Sequence, residues 1–174
     1  LRPASALPSA DVCEWAAQQA AQESGVPVDI LGALTLTETG RRLDGLVRPW
    51  AWSANAEGEG TWFDDPASAI TFAEDRVAQG RTNLDIGCFQ LNYRWHGENF
   101  SSVAQMFDPL ENARYAARFV SQLYAETGDW RQEIGWFSGA GRRILMCRGS
   151  SLPDAVGLRG DHVIVFDDIT HLVQ

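Results

Sequence analysis

The stretch "DILGALTLTETG", Asp29–Gly40, decides how this chain is read. Pro27 stands just ahead of it and Gly40 ends it, the punctuation of a short, mostly buried helix. Leu31, Leu34 and Glu38 are spaced i, i+3 and i+7, so they share one helix face. The leucines face a core. Glu38 therefore lies at the edge of that core, or points into a cleft that the core walls. Two effects disfavour a negative charge there. Partial desolvation favours the neutral carboxyl, and so does the partial negative charge at a helix C-terminus. A carboxyl that keeps its proton near neutral pH suits a general acid. On pattern alone, an ion pair with Arg41, Arg42 or Arg48 is the more ordinary reading of such a carboxylate.

Working outward, the chain reads as mostly helix. "SADVCEWAAQQAAQESG" offers Ser9 or Asp11 as N-cap, an Ala-rich body and Gly25 as stop. "DPASAITFAEDRVAQG" places Asp65 before Pro66, an N-cap followed by proline at the first helical position, and Gly80 as stop. "DPLENARYAARFVSQLYAETG" repeats the device with Asp108 and Pro109. Its Ala113, Ala116, Ala117, Val120 and Leu123 keep helical spacing. "DWRQEIGWFSGAG" reads as a shorter helix. "PWAWSANAEGEGTWF", from Pro49 to Phe63, alternates and carries Gly and Asn, so it reads as a β-hairpin or an ordered loop. After Gly141 the character changes, and Val163 to Phe166 form a strand-like apolar run. That run could join a sheet edge, in a partner or in the hairpin, or pack as a last core segment.

At 174 residues the chain supports one domain with its own core. "LRPASALPSA" (1–10) reads as a flexible leader. A formal net charge of −9, with no basic cluster, argues against nucleic acid or an anionic lipid surface as the main partner. A neutral sugar chain remains compatible. No apolar run has the length of a membrane span. Seven tryptophans is a high count, and indoles both fill cores and stack on sugar faces. Cys13, Cys88 and Cys147 show no metal-ligand spacing. They fit one bridge with one free thiol, the pair unspecified, or three buried thiols.

Four segments stand in an order that resembles a known family: "ESGVPVDILGALTLTETG", "PWAWSANAEGEGTWF", "NLDIGCFQLNYRWHGENF" and "MFDPLENARYAARFVSQLYAETGDW". They are similar to the catalytic domain of the soluble lytic transglycosylases, bacterial enzymes with a goose-lysozyme-like fold. The likeness covers roughly residues 11 to 137. It implies a mainly α, single lysozyme-like (α+β) domain with a small β-hairpin over 11–138, followed by an extension of unknown role over 139–174. Glu38 in "TETG" matches the family's catalytic glutamate. "GCFQ" occupies the place of the family's G-x-M-Q motif, which lines the sugar cleft. The resemblance therefore implies Gln90 and Phe89 as substrate-binding residues, with Gly87 allowing close backbone approach and Asn92 lining the same groove. Gln90 also reads as a buried amide holding a loop. Ser53 and Asn55, in the hairpin after Trp52, are placed near the glutamate. Asn112 matches a family position with a structural role.

The implied chemistry is cleavage of the MurNAc-β-1,4-GlcNAc bond of peptidoglycan. Glu38 protonates the glycosidic oxygen and then, as carboxylate, takes the proton of the C6 hydroxyl as a 1,6-anhydro ring closes. The resemblance implies no metal and no cofactor. It implies peptidoglycan glycan strands as substrate, a periplasmic location, and flagellar rod or secretion-system proteins as partners through the C-terminal region. A glycoside hydrolase needs a second carboxylate across the bond. Glu57, Glu59, Asp64, Asp65 and Asp85 are candidates, and no motif fixes any of them opposite Glu38. The chain departs from the family after "GDW": Phe137 stands where a tyrosine is expected, and is carried as a cleft residue. Tyr93, Tyr115 or Tyr124 would have to supply the missing hydroxyl. A muramidase on the same fold, and a catalytically weak glycan-binding scaffold, are the alternatives.

Overall fold

The structure is a computed structural model that describes residues 8–127, 133–138, 141–151 and 162–168. The architecture is α+β, with helices packed around small antiparallel sheets. Helix α1 (Ser9–Ser24) ends at Gly25 in the left-handed conformation, and α2 (Val28–Thr39) follows after Pro27. A first hairpin, β1 (Arg41–Leu43) and β2 (Leu46–Arg48), leads to a second, β3 (Ser53–Ala56) and β4 (Glu59–Trp62). Both hairpins turn through two residues of positive φ, Asp44–Gly45 and Glu57–Gly58, as the tight turns between twisted strands require. Then come α3 (Pro66–Ala78), β5 (Leu84–Ile86), β6 (Leu91–Asn92), α4 (Tyr93–His96), a 3₁₀ turn (Gly97–Asn99), α5 (Val103–Phe107) and α6 (Pro109–Thr127). Helix α1 begins at Ser9, inside the stretch expected to be a leader, and residues 1–7 lie outside the described residues.

The helix starts follow from local chemistry. The Asp65 carboxylate accepts the Ser68 amide at 2.9 Å, with Pro66 in the first turn of α3. Asp108 accepts the amides of Leu110 and Glu111 at the start of α6, at 3.0 and 2.9 Å. Small residues line the helix contacts. Cys13, Ala16, Ala17 and Ala20 of α1 are buried, and so are Ala113, Ala116, Ala117 and Val120 of α6. Both stripes follow the i, i+3, i+4, i+7 rule, and α1 packs against α6 and α2. Arg114 of α6 ties the two surfaces together by pairing with Glu23 at 2.7 Å. Leu31 and Leu34 of α2 enter the core beside Leu84, Ile86, Phe89, Met106 and Phe107. No helix among the described residues is long and apolar enough to cross a membrane.

One expected helix is a strand. Residues Glu133–Ser138 form β7, which pairs with β8 (Gly141–Ser151), and β8 pairs with β9 (His162–Asp168) in a three-stranded antiparallel sheet. Ile, Trp and Phe in "EIGWFS" suit a pleated surface, and β8 supplies the ladder partner that a six-residue helix would have to find within itself. The apolar run of Val163 to Phe166 lies in β9. The sheet joins residues on both sides of the expected boundary at 138.

Candidate active site

The second sheet runs β4-β3-β5-β6, all antiparallel. Its register decides the site. Ala54 pairs with Ile86, Ala56 with Leu84, and Ile86 with Leu91. These side chains belong to the buried apolar core. The alternate residues must occupy the opposite face. They form a row across all four strands, polar on three of them: Gly60 opposite Asn55, Asn55 opposite Asp85, and Asp85 opposite Asn92. Ser53 and its partner Trp62 lie one pleat along on the same face.

The carboxyl end of α2 borders this polar face, fixed from several directions. Thr35 Oγ1 donates to the carbonyl of Cys88 at 2.7 Å. Thr39 Oγ1 donates to the Thr35 carbonyl at 2.9 Å and accepts the Trp50 amide at 3.0 Å. Trp62 Nε1 donates to the Thr39 carbonyl at 3.3 Å. Glu38, in the last turn of α2, is half-buried. Of the arginines that follow it, Arg48 pairs with Asp11 and Glu14 at 2.6 and 3.2 Å, and Arg41 lies over the Trp50 ring, 3.8 Å from Asp64.

The turn between β5 and β6 carries Gln90. Gly87 has φ +77°, and a Cβ there would sit 2.9 Å from Asn112 Nδ2, so the position accepts only glycine without strain. Asn112 is fully buried; it clamps the turn with two bonds and reaches α5 with a third. Its Oδ1 accepts the Phe89 amide at 2.9 Å, and its Nδ2 donates to the carbonyls of Ile86 and Met106 at 3.1 and 2.9 Å. Cys88 forms a disulfide with Cys13, with the Cα atoms 5.5 Å apart, tying the turn to α1. Gln90 has a positive φ of 46°, rare for a non-glycine residue. Its Nε2 donates to the Gly87 carbonyl at 3.0 Å, the Ser53 hydroxyl at 3.2 Å and the Ser53 carbonyl at 3.3 Å. The amide thus holds the loop and also orients Ser53.

These parts enclose an open cavity of about 240 Å³. Glu38, Ser53, Asn55 and Gln90 line it together, along with Asp85 and Trp62. Two expected cleft residues stand elsewhere. Phe89 is fully buried among core side chains, because the turn that aims Gln90 at the cavity points its neighbour inward. Asn92 is buried at the end of the polar row, where Nδ2 donates to Asp85 Oδ1 at 2.7 Å and to Asn83 Oδ1 at 3.2 Å. Its own Oδ1 caps α4 by accepting the Arg94 amide at 3.1 Å. Phe137 lies in β7 with its Cα opposite Arg142, and its side chain lies outside the described residues. No tyrosine is among the described residues that line the cavity. The Tyr115 hydroxyl meets His96 Nδ1 at 3.0 Å and Asn99 at 3.3 Å.

Among the acidic candidates, Asp85 faces the cavity. Glu57 pairs with Arg81 at the hairpin tip, where the guanidinium holds its carboxyl below the usual range. Asp64 is exposed, Asp65 caps α3, and Glu59 is exposed at the start of β4. From sequence, Asp85 is one of five candidate second carboxylates with nothing to single it out, and Trp62 carries no site assignment. The available signal was "LDI", a carboxylate alternating with two apolar residues that pair into the core. Chemically, the cavity offers two carboxyl groups, amides, hydroxyls and one indole face. That set suits a neutral polyhydroxylated ligand and the transfer of a proton to it. Comparison of the chain with protein-family models, with curated proteins and with solved structures gives no match.

Proposed function

We propose that this chain is a peptidoglycan lytic transglycosylase with a lysozyme-like catalytic domain. The reading places it in a bacterial periplasm, where it makes local openings in the wall for a flagellar or secretion assembly. One observation carries it. Glu38, Ser53, Asn55 and Gln90, drawn from three separate segments of sequence, line one cavity beside a helix end. In this mechanism Glu38 gives its proton to the glycosidic oxygen between MurNAc and GlcNAc, and the C1–O bond breaks. Positive charge develops over C1 and the ring oxygen. The C6 hydroxyl attacks C1, its proton passes to the Glu38 carboxylate, and a 1,6-anhydro ring closes. The acid is restored and no water is consumed. Gln90 fixes Ser53 at the cavity wall, and Trp62 offers an apolar face to a sugar ring.

A second reading, a muramidase, is favoured by Asp85, because hydrolysis uses a second carboxylate near the scissile bond. Mass spectrometry of fragments released from purified peptidoglycan separates the two. Anhydro ends from the wild type, absent with Glu38→Gln, support the transglycosylase. Reducing MurNAc ends would mean a hydrolase. No release by either protein would refute both.

A further inference from the structure

We propose that Thr35 is a positioning residue that closes a ring of buried hydrogen bonds around the end of α2 and so fixes where Glu38 delivers its proton. The inference rests on the glycan-cleaving reading above and names a residue that reading does not use. The ring can be followed bond by bond. Thr35 Oγ1 donates to the Cys88 carbonyl at 2.7 Å, joining α2 to the β5–β6 turn. From the same turn, Gln90 Nε2 donates to Ser53 Oγ at 3.2 Å. Ser53 Oγ donates to the Trp50 carbonyl at 2.9 Å. The Trp50 amide donates to Thr39 Oγ1 at 3.0 Å, and Thr39 Oγ1 donates back to the Thr35 carbonyl at 2.9 Å. Glu38 stands on the stretch of α2 between the two threonines.

Burial gives these bonds their strength. Thr35, Thr39, Ser53 and Gln90 are 0 %, 2 %, 4 % and 6 % exposed, so water competes little for their polar groups. The hydroxyls of Thr39 and Ser53 each donate and accept, which couples one bond of the ring to the next. Thr39, Ser53 and Gln90 line the cavity with Glu38, and Thr35 does not. Thr35 therefore meets the substrate only through the others. Its surroundings on α2 are apolar, with Ile30, Leu31 and Leu34 buried beside it. Valine would fill the same volume and lack only the hydroxyl. That hydroxyl ties the helix carrying the acid to the turn carrying Gln90. A general acid works within hydrogen-bond reach of the oxygen it protonates, and a misplacement of about 1 Å costs on the order of 10²-fold in rate. Opening the ring at Thr35 loosens Glu38 against Ser53 and Gln90 without removing any group that touches the sugar.

Thr35→Val keeps the shape and removes the hydroxyl, and Thr35→Ser keeps the hydroxyl. The test is steady-state kinetics on soluble peptidoglycan fragments, well below each protein's melting temperature, with products identified by mass. The expected result is anhydro product from the wild type and a kcat lower by on the order of tenfold in Thr35→Val, with KM within about threefold. Thr35→Ser is expected to restore kcat to within about threefold of wild type. Thr35→Ala is judged by the same criteria if Thr35→Val does not fold. In the wild type, the Thr35 hydroxyl proton is expected to exchange slowly enough with water to give its own NMR signal. A threonine that only satisfied the Cys88 carbonyl would change stability and leave the kcat of folded protein alone. A Thr35→Val kcat within threefold of an active wild type, a loss carried by KM instead, a serine variant as slow as the valine one, or a hydroxyl proton lost to exchange would each overturn the role of Thr35 and leave the transglycosylase reading standing. Reducing ends from the wild type, or release undiminished in Glu38→Gln, would overturn the transglycosylase reading and this inference with it.

Discussion

Reducing the Cys13–Cys88 bridge tests how the fold and the cavity are coupled. The bridge spans 75 residues of sequence. For a loop of that length the chain-entropy account gives a stabilisation of about 4.5 kcal/mol, through restriction of the unfolded ensemble. For a domain of this size each kcal/mol shifts the melting midpoint by roughly 2–4 °C, so reduction is expected to lower it by roughly 9–18 °C. Both sulfurs lie in the core, at 0 % and 1 % exposure, so Cys13→Ala/Cys88→Ala adds a packing loss that simple reduction does not. The clean comparison is therefore oxidised against reduced wild type in urea. Peptide mapping would confirm that Cys13 and Cys88, and neither with Cys147, are joined. The bridge also tethers the turn that carries Gln90 to α1, so glycan cleavage should fall in the reduced protein at temperatures where it is still folded. A reduced protein within 1 kcal/mol of the oxidised one, with both thiols shown free, would refute this reasoning.

Asn112→Ala removes three bonds and strands the Phe89 amide and two carbonyls in the core. A loss of about 3 kcal/mol or more is expected by urea denaturation. Trp62→Ala, removing an indole 45 % exposed at the cavity wall, should raise KM for glycan fragments roughly fivefold, about 1 kcal/mol, with kcat little changed. An unchanged KM would remove Trp62 from the binding surface. Burial holds the pKa of His96 below its ordinary value. Its contribution to stability is then fully present above about pH 6.5 and lost as pH falls through the lower folded value, where the unfolded chain takes up the proton first. His96→Gln should flatten the fall in urea midpoint between pH 7 and pH 5, and an unaltered slope would count against it.

What was legible in the sequence was local. Asp65–Pro66 and Asp108–Pro109 announce helix starts because the cap and the fixed φ act within one turn. Glycine at 87 and asparagine at 112 could be given their structural parts, although the bonds from Asn112 to the turn and to α5 required the fold. The first hairpin carried its own signal, Asp44–Gly45, and was passed over because its strands are three residues each. Residues 133–138 were read as helix because a run that short fits either period, and the deciding partner, β8, comes later in the chain. The bridge between Cys13 and Cys88 follows from a contact between α1 and the β5–β6 turn that no local pattern encodes. Phe89 and Asn92 were assigned to the cleft by likeness to a motif. The turn puts Phe89 in the core, and Asn92, on the polar face, is buried against Asp85.

Asp85 shows why the site resists local reading and why it can still be argued. A strand of three residues buried at every position, as β5 is, ordinarily carries apolar side chains throughout. Leu84 and Ile86 obey that rule and pair into the core with Ala56 and Ala54. Asp85 breaks it, and the break does not stand alone. Its neighbours across the sheet, Asn55 and Asn92, are polar too, and Gly60 at the end of the row leaves room above the strand. One misplaced polar residue would be a local flaw. A row of them in register, facing the end of a helix that carries Glu38, is a surface on which local preference has given way to a common demand. Fold and chemistry meet there. The apolar half of each strand secures the sheet to the core, and the polar half can then be held rigid enough to meet a substrate.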